Sequence, residues 1–239
     1  PPVVTRIHAG DGALLAEYAN EKRLFVPAGA MPPQLVEAFV SAEDKGFYQH
    51  FGVDLRALAR AAITNLLNYG TGRRPIGAST ITQQVTKNFL LTNELSIERK
   101  IKEAILSLRM ERAFSKNQIL ELYLNEIYLG MGSYGVAAAA LNYFDKPLDQ
   151  LALAEIAYLA ALPKAPNNYH PVRNNRAAIT RRNWVLDEMR QNEYITEDEV
   201  SEVENCKSFS ELPNRYKRNI LNHYVEEVRQ NIFNLSDAY

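Results

Sequence analysis

The spacing of apolar residues changes once along the chain. Near the start, two short apolar runs, residues 3–7 and 14–18, flank Gly10-Asp11-Gly12. This arrangement predicts a β-hairpin, because Gly and Asp favour the tight turn between antiparallel strands. Residues 23–26 are apolar enough to add a third short strand. From Pro32 onward the spacing is that of amphipathic helices.

Helix starts are marked by proline pairs and by Asp, Ser or Thr caps, two of which form capping boxes. The pattern predicts helices that begin at or near Pro32, Asp54, Thr80, Ser96, Ser115, Leu148, Arg176 and Glu197. The helix from Ser115 is expected to reach Gly130, and the alanine-rich helix from Leu148 to end before Pro163. The predicted fold class is mostly α with a short N-terminal β extension.

The composition of the chain excludes several classes of protein and of binding site. A chain of 239 residues that is 46% hydrophobic can bury a substantial core. The net charge of −1 argues against non-specific nucleic-acid binding, and the single cysteine, Cys206, excludes an internal disulfide or a cysteine-based zinc site. No run of 18 apolar residues is present. Because the chain begins at Pro1-Pro2 without a signal segment, we expect a piece of a longer, membrane-anchored protein.

The first polar cluster is AEDKGFYQHFG, residues 42–52, directly after an apolar helix face. It contains the carboxylate pair Glu43-Asp44 and His50. Apolar surroundings raise the pKa of a carboxyl group toward the value that a general base needs. Taken alone, the ordinary interpretation is a solvated helix end with a structural histidine.

The second cluster is GASTITQQVTKN, residues 77–88. Ser79, Thr80 and Gln84 lie in or near the first turn of a helix, and Lys87 lies on the next turn. Hydroxyls and amides at a helix N-terminus suit an oxyanion. The ordinary interpretation is a capped helix.

The third cluster contains Arg99, Lys100 and Glu103, on the helix face opposite Ile97 and Ile101. Its ordinary interpretation is a salt bridge between residues four apart on a solvated face. The alternative is a cationic patch that binds phosphates, with one carboxylate embedded in it.

In the fourth cluster, residues 116–125, most apolar residues fall on one face of the predicted helix, which we expect to be buried in the core. Glu121 and Asn125 are interpreted as polar struts that brace neighbouring helices.

In chain order, the segments EDKGFYQHFG, GASTITQQVTKN, RKIKEAI, KNQILELYLNEIYLG and RRNWVLDEM closely resemble the five motifs of the peptidoglycan glycosyltransferases, glycosyltransferase family 51. The resemblance covers roughly residues 30–190. The N-terminal extension and HYVEEVRQ near the end are similar to class A penicillin-binding proteins of the 1a type. The Ser-x-x-Lys and Lys-Thr-Gly motifs of a transpeptidase are absent from this sequence.

The resemblance implies a lysozyme-like helical fold and the polymerisation of lipid II into glycan strands. The family transfers a glycan, with inversion, from a lipid-pyrophosphate donor to the GlcNAc 4-hydroxyl of lipid II. It implies a location on the extracytoplasmic face of the inner (cytoplasmic) membrane. The implied partners are lipid II, the growing lipid-linked glycan, the membrane surface through residues 51–76, and a transpeptidase module of the full-length chain, with no nucleic acid.

Matched motif to motif, Glu43 takes the place of the general base. Glu103 takes the place of the second carboxylate, near the donor pyrophosphate. No tightly bound cofactor is implied, but a divalent cation, Mg²⁺ or Mn²⁺, is expected near Glu103. The positions implied to bind substrate are Ser79, Thr80, Gln84, Lys87, Arg99, Lys100, Arg181, Asp44 and His50.

The implied residue types suit the implied chemistry. A pyrophosphate leaving group needs cations to absorb its growing charge, and the acceptor hydroxyl needs a base. A lysozyme-like peptidoglycan hydrolase is an alternative, but it leaves Lys87, Arg99 and Lys100 unexplained. A non-catalytic cell-wall scaffold is a second alternative. We expect a β extension over residues 1–29, a glycosyltransferase domain over 30–206, and a linker over 207–239 toward an absent transpeptidase module.

Overall fold

The computed structural model describes residues 5–8, 14–18, 22–72, 77–90 and 96–205. This part of the chain is mostly helical, as the sequence predicts. The helices are α1 (Pro33–Glu43), α2 (Leu55–Leu67), α3 (Ile81–Leu90), α4 (Ile97–Ala113), α5 (Lys116–Glu126), α6 (Val136–Phe144), α7 (Leu153–Ala161), α8 (Asn175–Gln191) and α9 (Glu197–Asn205). The strands are β1 (Thr5–His8), β2 (Leu14–Tyr18), β3 (Lys22–Arg23) and β4 (Ser133–Tyr134).

Two groups of helices share one core. In the first, α1, α7 and α8 pack against one another; in the second, α3 packs against α4 and α5. Leu35 and Phe39 of α1 and Tyr123 of α5 are among the buried side chains that fill the space between them. The alanine-rich α7 is almost fully buried, because small side chains let helices approach closely.

Several helices begin at side-chain caps, at the positions that the sequence predicts. Asp54 accepts the amide of Ala57 at 2.9 Å, and Ser96 accepts the amide of Arg99 at 3.1 Å. Thr80 exchanges backbone-to-side-chain bonds of 3.0 and 3.1 Å with Gln83. Each cap satisfies amide groups that the first helical turn leaves without partners.

The β extension is confirmed as a hairpin but differs in its third strand. β1 and β2 pair antiparallel, and the turn between them lies outside the described residues. The third strand covers only Lys22–Arg23 rather than 23–26, and it pairs in parallel with β4. Residues 24–27 belong to no strand, and the Val26 amide bonds the side chain of Asn125 instead.

One helix was not predicted, and the boundaries of two others differ from the prediction. Helix α6 was not predicted, because its alanine run has no polar alternation. Helix α7 begins at Leu153, after a separate 3₁₀ turn at Leu148–Gln150. Helix α5 ends at Glu126, four residues before Gly130. The segment 206–239, with its expected linker, lies outside the described residues. No helix among the described residues is long and apolar enough to cross a membrane.

Glu121 and Asn125 act as polar struts, but they hold the segment that leads into α1 and not, as predicted, a neighbouring helix. The Asn125 side chain accepts the Val26 amide at 2.8 Å and donates to the Val26 carbonyl at 2.8 Å. Glu121 accepts the Ala28 amide at 2.6 Å. Both struts project from α5, so this helix positions the approach to α1.

Gly135 lets α6 begin directly beside the backbone of Asn125. Its φ is +80°, and a Cβ atom there would lie 2.5 Å from the Asn125 carbonyl oxygen. Gly70 has a matching φ of +83° but nothing within 4 Å of the same position. The two glycines therefore share a backbone conformation that would strain a residue with a side chain, and they differ in the space available for a Cβ atom.

We expect Gly135→Ala to lower the free energy of unfolding by about 3 kcal/mol or more, since left-handed strain adds to a clash with backbone that cannot move away. Gly70→Ala, the matched control, should cost only about 1 kcal/mol, from strain alone. Urea unfolding followed by circular dichroism measures both. Equal losses in the two variants would contradict the close approach at Gly135.

Candidate active site

Glu43 is the last residue of α1 and faces α3. Its side chain is partly buried, and Oε2 accepts a hydrogen bond of 2.8 Å from Nε2 of Gln84. Burial raises the pKa of Glu43, while the Gln84 bond and the charges of Arg181 and Lys164 act in the opposite direction. The position at a helix C-terminus also disfavours a negative charge. A carboxyl group with a raised pKa is suited to accept a proton near neutral pH.

The start of α3 is tied to the end of α1 by Asp44. This buried carboxylate accepts the amide of Ile81 at 3.0 Å and contacts Nε2 of His50 at 2.9 and 3.0 Å. Nδ1 of His50 accepts the amide of Gly52, so Nε2 carries the proton toward Asp44. Thr80 adds a bond of 2.6 Å to the Gly52 carbonyl. In this structure Asp44, His50 and Thr80 hold the framework around Glu43, and their predicted contact with substrate stays a prediction.

Glu103 lies in a cluster of cations on α4. Its side chain is only 1% exposed; it accepts a bond of 3.3 Å from Arg99 and a short bond from Lys100. Lys100 also donates to the Ser79 hydroxyl at 2.9 Å, which links the cluster to the segment before α3. Two cations around one buried carboxylate leave a net positive charge.

The ordinary interpretation of this face as solvated is therefore wrong for Glu103. The salt bridge between Arg99 and Glu103 is present, but the buried face of α4 is the polar one. The apolar stripe faces outward, with Ile97 82% and Ile101 56% exposed. Thr86 of α3 and Ser107 of α4, whose hydroxyls lie 3.0 Å apart, pack between the two helices instead.

Helix α3 joins the two carboxylate environments. Gln84 contacts Glu43, and Ser79, just before the helix, contacts the Lys100–Glu103 pair. Lys87 lies one turn beyond Gln84 and is exposed. Helix α3 and the residue before it thus place an amide beside Glu43 and a hydroxyl beside Lys100.

Helix α8, which packs against α1, contributes Arg181. Its guanidinium lies 3.5 Å from the centre of the Trp184 ring, and burial lowers its pKa. The charges of Arg181 and Lys164 both lower the pKa of Glu43. Sequence reasoning did not single out Lys164, since it lies in a segment between motifs.

A further buried pair was not identified from the sequence. Glu111 accepts the Thr82 hydroxyl at 2.6 Å and the Lys116 ammonium at 2.7 Å. Lys116 also donates to the His50 carbonyl at 2.7 Å and lies 4.3 Å from the Phe47 ring. These groups connect α3, α4 and α5 behind the site, and only the tertiary fold brings them together.

The residues around Glu103 do not form a ready metal site. Both of its oxygens accept bonds from cations, and among the described residues no group of three or more His, Cys, Asp or Glu side chains could hold a metal ion. Divalent cations such as Mg²⁺ prefer several oxygen ligands. A divalent cation near Glu103 stays a prediction, and the mechanism proposed below has no step that requires one.

Comparison with known proteins places this site in a family. The transglycosylase family model matches residues 11–190. The chain is 50% identical to penicillin-binding protein 1A of Rickettsia felis over 238 residues, covering 100% of the chain and 30% of that protein. It is 46% identical to penicillin-binding protein 1A of Escherichia coli over 198 residues, covering 83% of the chain and 23% of the relative.

A solved structure agrees with the fold. The crystal structure of penicillin-binding protein 1A from Haemophilus influenzae matches with a TM-score of 0.52 and 28% identity, over 85% of this chain and 20% of that one. The chain spans about a third or less of the length of these relatives. The chain therefore belongs to the transglycosylase family, as a peptidoglycan glycosyltransferase domain of the class A penicillin-binding protein 1a type.

Proposed function

We propose that this chain polymerises lipid II into glycan strands, with Glu43 as the general base. The observation that supports the proposal is the contrast between two carboxylates joined by α3. Glu43 is partly buried beside a neutral amide, whereas Glu103 is held between two cations. The first environment suits proton acceptance, and the second suits a charged leaving group.

In the proposed reaction, Glu43 accepts the proton of the GlcNAc 4-hydroxyl as that oxygen attacks C1 of the donor sugar. The new C1–O bond forms as the bond from C1 to the pyrophosphate oxygen breaks, with inversion at C1. The pyrophosphate leaves with the electron pair, and Lys87, Arg99 and Lys100 stabilise its negative charge. In this proposal Glu103 holds Arg99 and Lys100 in place.

The lysozyme-like alternative fits the site less well. A hydrolase that works with two carboxyl groups needs both of them at the glycosidic bond, as acid and as base or nucleophile. Both oxygens of Glu103 are already bound by Arg99 and Lys100. The scaffold alternative gives no reason for a buried glutamate with a raised pKa.

Helix α2 supports a membrane contact through residues 51–76. Ala61 is its one buried residue, whereas Leu66 is 76% and Leu67 is 77% exposed. Arg56 and Arg60 are exposed on the same helix. A helix with a wide apolar surface and cations suits an anionic lipid surface. Residues 73–76 lie outside the described part of the chain.

The relatives are full-length penicillin-binding proteins, so we also propose a wider context. The chain would act at the extracytoplasmic face of the cytoplasmic membrane, beside a transpeptidase module of the same protein. The boundaries at residues 30 and 206 stay predictions. The family model ends at residue 190, within α8.

Replacing Glu43 by Gln should abolish the base while keeping the hydrogen bond from Gln84. We expect lipid II polymerisation to fall by about 10²–10⁴-fold. Because burial raises the pKa of Glu43, its charge disfavours the folded state at neutral pH, so the variant should melt at the same or a higher temperature at pH 8. Glycan gels and calorimetry measure the two effects.

The same residue should set the pH dependence of the activity of the unmodified chain. Glu43 must be ionised to act, so kcat/KM should fall as the pH drops through its raised pKa, above the range of an ordinary glutamate. Near-normal turnover of Glu43→Gln would remove this residue from the mechanism.

Lys87 tests the donor phosphate site with little risk to the fold, because it is exposed. Lys87→Ala should weaken binding of a lipid pyrophosphate or of a moenomycin-type phosphoglycolipid by about tenfold, and added salt should reduce the difference. Lys102→Ala removes the same charge from an exposed pair with Glu98 and should leave binding unchanged. Equal affinities of parent and Lys87→Ala would contradict the assignment.

Leu66 and Leu67 test the membrane contact. Since both are more than three-quarters exposed, their replacement by Ser should leave the melting temperature nearly unchanged. Binding to anionic liposomes should weaken by about tenfold or more, from the loss of two apolar side chains. A large drop in melting temperature with undiminished liposome binding would assign these residues to the core.

A further inference from the structure

A surface pocket of about 710 Å³ opens at the start of α8. Arg173, Arg176 and Arg181 contribute to its lining, together with Tyr169 and Trp184. Helix α8, which carries Arg181, packs against α1, whose last residue is Glu43, so the pocket adjoins the helix that ends at the proposed base. We propose that this pocket binds the carboxylate-bearing peptide of the acceptor substrate. This inference rests on the proposed function and extends it to substrate recognition.

The start of α8 concentrates positive charge where a helix does not favour it. The first turn of α8 contains no acidic residue, and Arg176 stands there instead. The N-cap residue, Asn174, makes no side-chain cap, and its amide donates to the Asn168 carbonyl at 3.3 Å. Because a helix N-terminus is already positive, arginines at this end repel it. A bound anion would offset that repulsion.

Arg181 adds a donor without a partner. Its Nε atom is buried and makes no hydrogen bond to any described residue. Stacking on Trp184 at 3.5 Å holds the guanidinium plane in position. Arg181 is thus a preorganised cation in the lining of the pocket. The pocket therefore has cations and a helix N-terminus for an anionic ligand.

The character of the lining favours a peptide over a phosphate. Amide and hydroxyl groups of Asn174, Asn175 and Thr180 lie among the arginines and aromatic rings. A pyrophosphate is compact and is best matched by closely spaced cations, as near Glu103. The peptide on the muramyl sugar of a cell-wall precursor carries several carboxylates, amides and small apolar groups along its length. A mixed lining and a volume of this size suit such a ligand.

The position of the pocket agrees with the proposed reaction. The acceptor places its terminal sugar hydroxyl at Glu43, and the peptide is attached to the next sugar. The pocket is formed at the start of α8, which packs against α1, whereas Gln84 and Lys87 lie on α3, which packs against α4 and its cations. Donor pyrophosphate and acceptor peptide would thus occupy separate cationic regions.

Trp184 allows direct measurement, because it is the only tryptophan of the chain. Titration with soluble muramyl pentapeptide, which has no lipid and no phosphate, should change its fluorescence with saturation. Arg176→Ala should weaken binding by about tenfold, as expected for one charge-assisted contact. Arg112→Ala removes the same charge from the exposed end of α4 and should leave binding unchanged.

Two further probes identify the bound group. A pentapeptide with amidated carboxylates should bind about tenfold more weakly than the acid form. Inorganic pyrophosphate should not compete with the peptide. Equal binding of the amidated peptide, competition by pyrophosphate, or no fluorescence change with the pentapeptide would each overturn the proposal.

Kinetics separate this inference from the proposed function. Arg176→Ala should slow polymerisation of peptide-bearing lipid II and leave a peptide-free analogue unaffected, with an unchanged or higher melting temperature. Equal slowing of both substrates would overturn the peptide assignment. If the parent polymerises neither substrate, the proposed function fails, whatever the fluorescence titration shows.

Discussion

The attachment of α3 to the end of α1 is the constraint on which the site depends. Asp44 makes it by accepting the first amide of α3 and holding His50. A carboxylate at a helix N-terminus is favoured by the helix dipole and by the unpaired amides there. With α3 fixed in this way, Gln84 reaches Glu43 and Ser79 reaches Lys100. The functional contacts follow from one buried cap.

This framework separates two kinds of carboxylate. Asp44, Glu103 and Glu111 each accept bonds from donors on other parts of the chain or from cations, so their charges are compensated. Glu43 has one amide donor and more distant cations, so burial prevails and its pKa is raised. The same fold therefore contains carboxylates with compensated charge and one carboxyl group with a raised pKa, which differ by environment and not by residue type.

Two charged residues of the candidate sites lie at helix ends where their charge is unfavourable. Glu43 is a buried acid at a helix C-terminus, and Arg176 is a cation at a helix N-terminus. Neither arrangement stabilises the free protein; under the two proposals above, a proton at Glu43 and a bound anion near Arg176 would offset the cost. Such conflicts with local rules are typical of functional positions. The large apolar core around α1 and α7 supplies the stability that tolerates them.

The sequence by itself determined the helical class and most helix starts, because caps and periodicity act within a few residues. The order of the five motifs also identified the family. Only the tertiary structure decided that α4 turns Glu103 inward and Ile97 outward. Amphipathic spacing defines two faces of a helix, but which one is buried depends on what packs against it. Here Thr86 and the cations around Glu103 provide hydrogen bonds that a solvated face would take from water. The hydrogen bonds of Gln84 to Glu43 and of Thr82 to Glu111 likewise depend on the packing of segments that are distant in sequence.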